Sequence, residues 1–167
     1  MKKVGVLGGA STTLASSLVN PYAITADSAN AYWVTQADPG TVYRVPVGGG
    51  ATVPVALTQH FPNVIVVDAT TLYWVDTAGP DAVVKVSIGG GQAVSLAPAN
   101  GAANALAIDA TTVYWAEANN GAVKKVPKAG GTPIVLATGN QAPLSIAVDG
   151  TYVYWVTADG VIHRAHK

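Results

Sequence analysis

Ala105-Leu106-Ala107-Ile108-Asp109-Ala110-Thr111-Thr112-Val113-Tyr114-Trp115-Ala116 is the stretch that decides the fold of this 167-residue chain. Two short apolar runs flank an Asp-Ala-Thr-Thr turn, the pattern of two strands joined by a tight connection. The stretch has copies on both sides. All four Trp of the chain lie in Tyr-Trp pairs, Tyr32-Trp33, Tyr73-Trp74, Tyr114-Trp115 and Tyr154-Trp155, spaced 41, 41 and 40 residues apart. Six residues before each Trp stands an Asp (Asp27, Asp68, Asp109, Asp149), and eighteen before each Asp is the second Gly of a pair (Gly9, Gly50, Gly91, Gly131). A register held over that length is an internal repeat, and it sets the architecture before any other signal is weighed.

Working outward from the Asp, each unit divides into four apolar runs separated by Gly, Asn, Asp and Pro. In the third unit they are residues 93–97, 105–108, 112–116 and 122–126. β-branched and aromatic residues crowd the runs, and no segment sustains the i, i+3, i+4, i+7 spacing of a helix. The expected fold is all-β: a β-propeller with four four-stranded antiparallel blades per chain, as a four-bladed ring or half of an eight-bladed dimeric ring. The units fall at approximately 8–48, 49–89, 90–129 and 130–167 of a single domain spanning 1–167, with an extra strand at 1–7. The run that ends at the repeated Asp has small residues on one face (Ala-Ile-Thr-Ala, Ser-Ile-Ala-Val), so it belongs innermost, where strands converge. A large aromatic buries about 150–250 Å², roughly 4–6 kcal/mol before entropy is counted. Trp33, Trp74, Trp115 and Trp155 are therefore expected to pack blade against blade.

Composition narrows the function classes. The chain is 50% hydrophobic and 11% charged, with nine Lys+Arg balancing nine Asp+Glu. That balance is unlike the basic excess of a nucleic-acid or anionic-membrane binder. The absence of Cys excludes disulfides, thiolate nucleophiles and thiolate metal sites. No apolar run approaches the ~20 residues of a membrane-spanning helix. Met1-Lys2-Lys3 followed by Val4-Gly5-Val6-Leu7 has the outline of a secretory signal, but Lys124-Lys125-Val126 with Gly130-Gly131 repeats it inside the chain, so it is read as part of the repeat.

The pattern Pro-x-x-Ile-Ala-Val-Asp (143–149), Val-Tyr-Trp-Val (153–156) and Val-x-Lys-Val-Pro-x-x-Gly-Gly (123–131) resembles the blades of YWTD-type and NHL-like propellers of secreted bacterial proteins. The resemblance covers nearly the whole chain. It departs from the full motif in Tyr-Trp-Val-Thr, Tyr-Trp-Val-Asp and Tyr-Trp-Ala-Glu, and in blade number, since YWTD domains usually have six. It implies an inner strand, a second strand with the aromatic pair, a third with a basic residue and an outer fourth, in a parent protein that is secreted or extracytoplasmic.

The basic run occurs five times, with Lys3, Arg44, Lys85, Lys125 and Arg164 equivalent, while every other run occurs four times. One copy is thus redundant. A stretch of a longer propeller, natural or engineered, a ring closed by four blades as in hemopexin-like folds, and a ring shared by two chains with C₂ symmetry all fit; self-association is favoured.

Candidate site residues are few. The four Asp could be imagined as a Ca²⁺ ring, but an Asp before such a turn is expected to accept backbone N–H groups, so no cofactor is expected. The Gly-Gly pairs lack the Lys-Ser/Thr of a phosphate loop and read as hairpin turns. His163 and His166, three apart, point to opposite faces of a strand, and a frayed terminus is expected for them. His60 departs from its counterparts in the other units (Val19, Asn100-Gly101, Gln141-Ala142). Asp76 and Glu117 follow their Trp where Thr35 and Thr157 stand elsewhere, and are expected to be solvated loop carboxylates. His60, Asp76 and Glu117 are the candidate ligand contacts, for an unknown small molecule, glycan or protein. The expected function is a non-catalytic binding or scaffold module; the alternative is a propeller-class lyase or hydrolase with a site around His60.

Overall fold

The computed structural model describes residues 1–100 and 102–167, and every described segment of regular structure is a strand. The first blade comprises β3 (Pro21–Ala26), β4 (Asn30–Thr35), β5 (Gly40–Pro46) and β6 (Val53–Gln59), after an N-terminal pair of β1 (Lys2–Lys3) and β2 (Thr12–Thr13). The second holds β7 (Pro62–Val67), β8 (Thr71–Asp76), β9 (Ala82–Ser87) and β10 (Val94–Pro98). The third holds β11 (Ala103–Ile108), β12 (Thr112–Glu117), β13 (Ala122–Pro127) and β14 (Ile134–Ala137). The fourth has only β15 (Pro143–Val148), β16 (Tyr152–Thr157) and β17 (Ile162–His166). All pairings are antiparallel between neighbours in sequence, and a bulge follows the Pro or Ala that opens each inner strand.

The sheets are offset from the sequence units. Each Gly-Gly pair, with both residues at positive φ, turns the chain tightly from a third strand into a fourth of the same sheet. A turn that short requires antiparallel neighbours, so the first run of each unit is the outer strand of the preceding blade. One expectation is refined as a result: three blades have four strands and the last has three, while residues 1–7 hold the strand β1, paired with β2. The His-bearing terminus is also not frayed. It forms β17, where His163 stacks on Trp155 (ring centroids 5.5 Å apart) and His166 lies 4.4 Å from the Tyr152 ring, aromatic packing that holds the last strand in register.

Each blade buries itself against the next. Trp74 packs with Tyr32 and Val34 of the preceding blade, Trp115 with Tyr73 and Val75, and Trp155 with Tyr114 and Ala116. Trp33 packs on Leu14 beside β2, with Met1 and Leu18 at the margin. Because successive side chains of a strand alternate between faces, the Tyr of each Tyr-Trp pair faces forward and the Trp faces back. The inner strands β3, β7, β11 and β15 stand side by side in that order, and β15 makes no comparable approach to β3. The four blades form an open arc.

Candidate functional site

The four repeated Asp are consumed by the turns they precede. In each, Oδ1 accepts the N–H groups two and three residues on (Thr111 at 2.9 Å and Thr112 at 2.9 Å for Asp109), and Oδ2 accepts the Tyr hydroxyl of the following strand (Tyr114, 2.9 Å). Asp27, Asp68 and Asp149 repeat the arrangement with Tyr32, Tyr73 and Tyr154. In the middle of the arc an ammonium from the next blade joins it: Lys128 Nζ lies 2.6 Å from Asp68 Oδ2 and Lys167 Nζ 2.7 Å from Asp109 Oδ2. Burial pushes both carboxyls upward, but the lysine and the turn N–H groups outweigh it and hold both below the usual range. Burial, then the adjacent carboxylate, pushes Tyr73 up to about 12.

Asp76 and Glu117 are not solvated loop carboxylates. They end β8 and β12, with relative exposures of 7% and 0%. Both lie two residues after a Trp and therefore on its face of the sheet, where each accepts the indole N–H: Trp74 Nε1 to Asp76 Oδ1 at 2.9 Å and Trp115 Nε1 to Glu117 Oε1 at 2.8 Å. The other oxygen of Glu117 sits 2.8 Å from Lys124 Nζ and accepts from Asn120 at 2.6 Å. Burial raises the Asp76 carboxyl above its ordinary value, against the lowering effect of the His60 N–H and the Trp74 indole. Trp155 uses Asn140 Oδ1 instead (3.0 Å), and the Trp33 indole N–H is buried without a partner among the described residues.

His60 and Asp76 are brought together; Glu117 is not with them. A groove of about 810 Å³ opens between the outer strand β6 of the first blade and β9–β10 of the second, and His60, Asp76, Asp81, Gln92 and Ser95 are on its wall. His60 is exposed, with Nδ1 3.0 Å from Asp38 Oδ1, and its carbonyl accepts the N–H groups of Thr77 and Ala78 just after Asp76. Asp81 Oδ2 accepts the Ala102 N–H at 3.2 Å. Asp38 and Asp81 carry no repeat signature, because the loops that hold them differ from unit to unit, so the register could not single them out. Of the counterparts of His60, Gly101 lies outside the described residues. An imidazole held by a carboxylate can bind a polar ligand or orient a proton. The groove hydroxyl of Thr58 is occupied with its neighbouring carbonyl, Leu57 O, at 2.7 Å. Among the described residues no three His, Asp or Glu groups cluster as a metal site would require.

Comparison with solved structures decides the architecture. The chain is similar to the computationally designed Ika4 protein, with a TM-score of 0.74 at 17% identity over 92% of this chain and 95% of that one. The fold is a β-propeller. The propeller also matches the computationally designed Ika8 protein (TM-score 0.68, 18% identity, 88% of this chain and 46% of that one). It matches virginiamycin B lyase from Staphylococcus aureus (0.67, 12%, 87% and 55%) as well. The chain thus spans about half the length of these last two. No family model matches the propeller, and no curated protein matches it.

Proposed function

We propose that this chain is a non-catalytic propeller module, a scaffold and binding half-ring completed by a second copy of itself. The observation that carries this reading is Ile24 on the inner strand of the first blade. Its equivalents Ile65, Leu106 and Ile146 are 4%, 6% and 9% exposed, whereas Ile24 is 59% exposed. A side chain kept apolar at a position buried in every other blade is waiting for a neighbour, and an exposed apolar sheet face marks an interaction surface. Kinship with YWTD- or NHL-type propellers and an extracytoplasmic parent belong to the same proposal and rest on the repeat motif. So does the groove beside His60 as the place where a small molecule, glycan or protein ligand would bind. The buried carboxylates support a non-catalytic role, since the indoles and Lys124 already engage them.

Size-exclusion chromatography with light scattering tests the reading. The expected species has twice the 16.9 kDa chain mass, and a clean 16.9 kDa species at micromolar concentration overturns it.

A further inference from the structure

Resting on the half-ring reading, we propose that the ring closes by strand exchange: β17 of one copy displaces β1 of the other and pairs with its β2. Among the described residues the last sheet has three strands, and the strand preceding the first blade, β2, is of the fourth type. Yet β2 is already paired with β1, a strand of the third type equivalent to β17. Both cannot occupy the place beside β2. This is the physical meaning of the redundant fifth copy of the basic run.

The register can be carried over residue by residue. Arg44 faces Val53, Lys85 faces Val94, Lys125 faces Ile134, and Lys3 faces Thr12. Arg164 therefore belongs opposite Thr12, His163 opposite Thr13, and Ile162 opposite Ala15. Two independent features support that placement. Val42, Val83 and Val123, the equivalents of Ile162, are each fully buried against the Ala of their fourth strand, whereas Ile162 is 76% exposed. Met1 stands in for it now, with its amino group donating to Ala15 O and its carbonyl accepting from Leu14 N–H. The second feature is a ladder of cross-blade hydrogen bonds. Lys3 donates to Val47 O, Arg44 to Ile88 O (2.7 Å) and Lys85 to Lys128 O (2.7 Å), each reaching forward one blade. Arg164 rests over the Tyr152 ring at 4.7 Å, and the carbonyl its position would reach, Val47 O of the second copy, is the one Lys3 holds.

The competition has a clear favourite. The β1 strand is two exposed residues long, while β17 pairs with β16 over five residues and contributes Ala165 to the seam with the third blade. The arc also suits a second copy rather than closure on itself. These four blades superpose on 46% of one longer chain and 55% of another, as about half of a larger ring would.

Because the chain has no Cys, engineered pairs report directly. Opposed residues of antiparallel strands lie about 4.5–5.5 Å apart at Cα, within disulfide reach. Thr13→Cys with His163→Cys is expected to give a covalent dimer on a non-reducing gel. A disulfide within one chain, or none, overturns the exchange. Lys2→Cys with Thr13→Cys locks β1 onto β2 and is expected to hold the protein at 16.9 kDa until a thiol reductant restores the dimer, which also controls for folding. A locked variant that dimerises overturns the exchange and leaves the half-ring intact; a monomeric unmodified protein overturns both.

Discussion

The seam between the second and third blades and the outer faces of the arc are built from the same repeat, and they end in opposite states. In the seam, Tyr73 and Val75 meet Leu106 and Trp115 with little water left between them, and Lys128 fastens the third blade to Asp68 of the second. At the two ends, Ile24 and Ile162 hold the equivalent apolar positions and face solvent. Local sequence is nearly constant between these regions, so the difference lies in whether a neighbour is present. A single sheet cannot bury both of its faces, and a repeat array is stable through its interfaces as much as through its units.

The largest expected effect sharpens the closed side of that comparison. Lys124→Met leaves the Glu117 carboxylate buried with its cation gone, and is expected to lower unfolding stability by about 3–5 kcal/mol, read from urea denaturation. A loss below about 1 kcal/mol would mean that water reaches Glu117. Next, Ile65→Ala is expected to cost about 2–5 kcal/mol, as large-to-small changes in packed cores do. Ile24→Ala at the equivalent open position should change the chain's own stability by less than about 0.5 kcal/mol, as surface substitutions do, and weaken self-association instead. Equal costs at the two sites would break the distinction between seam and end.

The smallest effect is in pH. The carboxyls of Asp68 and Asp109 are held below the unfolded value of 3.8, so their stabilisation is present above that value and lost as pH falls through the folded one. Asp149 is held to about 2 first by the Tyr152 and Thr151 N–H groups, with no lysine ion pair among the described residues. Asp76 runs the other way: its raised value makes the folded state gain as pH falls through it. Midpoints measured between pH 6 and 2 should therefore fall mainly below about pH 4. Lys128→Met is expected to flatten that acid limb by removing one of the groups that hold the Asp68 carboxyl down, and an unchanged limb would refute the role of the cross-blade lysine.

Much of this was legible in the sequence because it recurs. The Tyr-Trp spacing and the turn Asp marked the repeat and the packing role of the tryptophans, and small residues on one face marked the inner strand, each being a local pattern copied four times; the order of strands within a blade came with the resemblance to YWTD-type and NHL-like blades. The sites were less legible, because they depend on what a residue meets. Asp76 and Glu117 look like loop carboxylates in the chain; only the pleat, which puts a residue and the one two positions on along the same face, turns them toward an indole N–H in a dry seam. Asp38, the partner of His60, lies 22 residues away in a loop whose sequence differs from unit to unit.

The chain alone settled that this is a repeated antiparallel sheet with one basic strand too many, since hydrophobic period and turn chemistry act over a few residues. Tertiary structure alone decided which runs share a sheet, which carboxylates are buried, and which faces are left open. Those outcomes turn on the angle between successive blades, a property of side chains packed across seams that no single repeat contains.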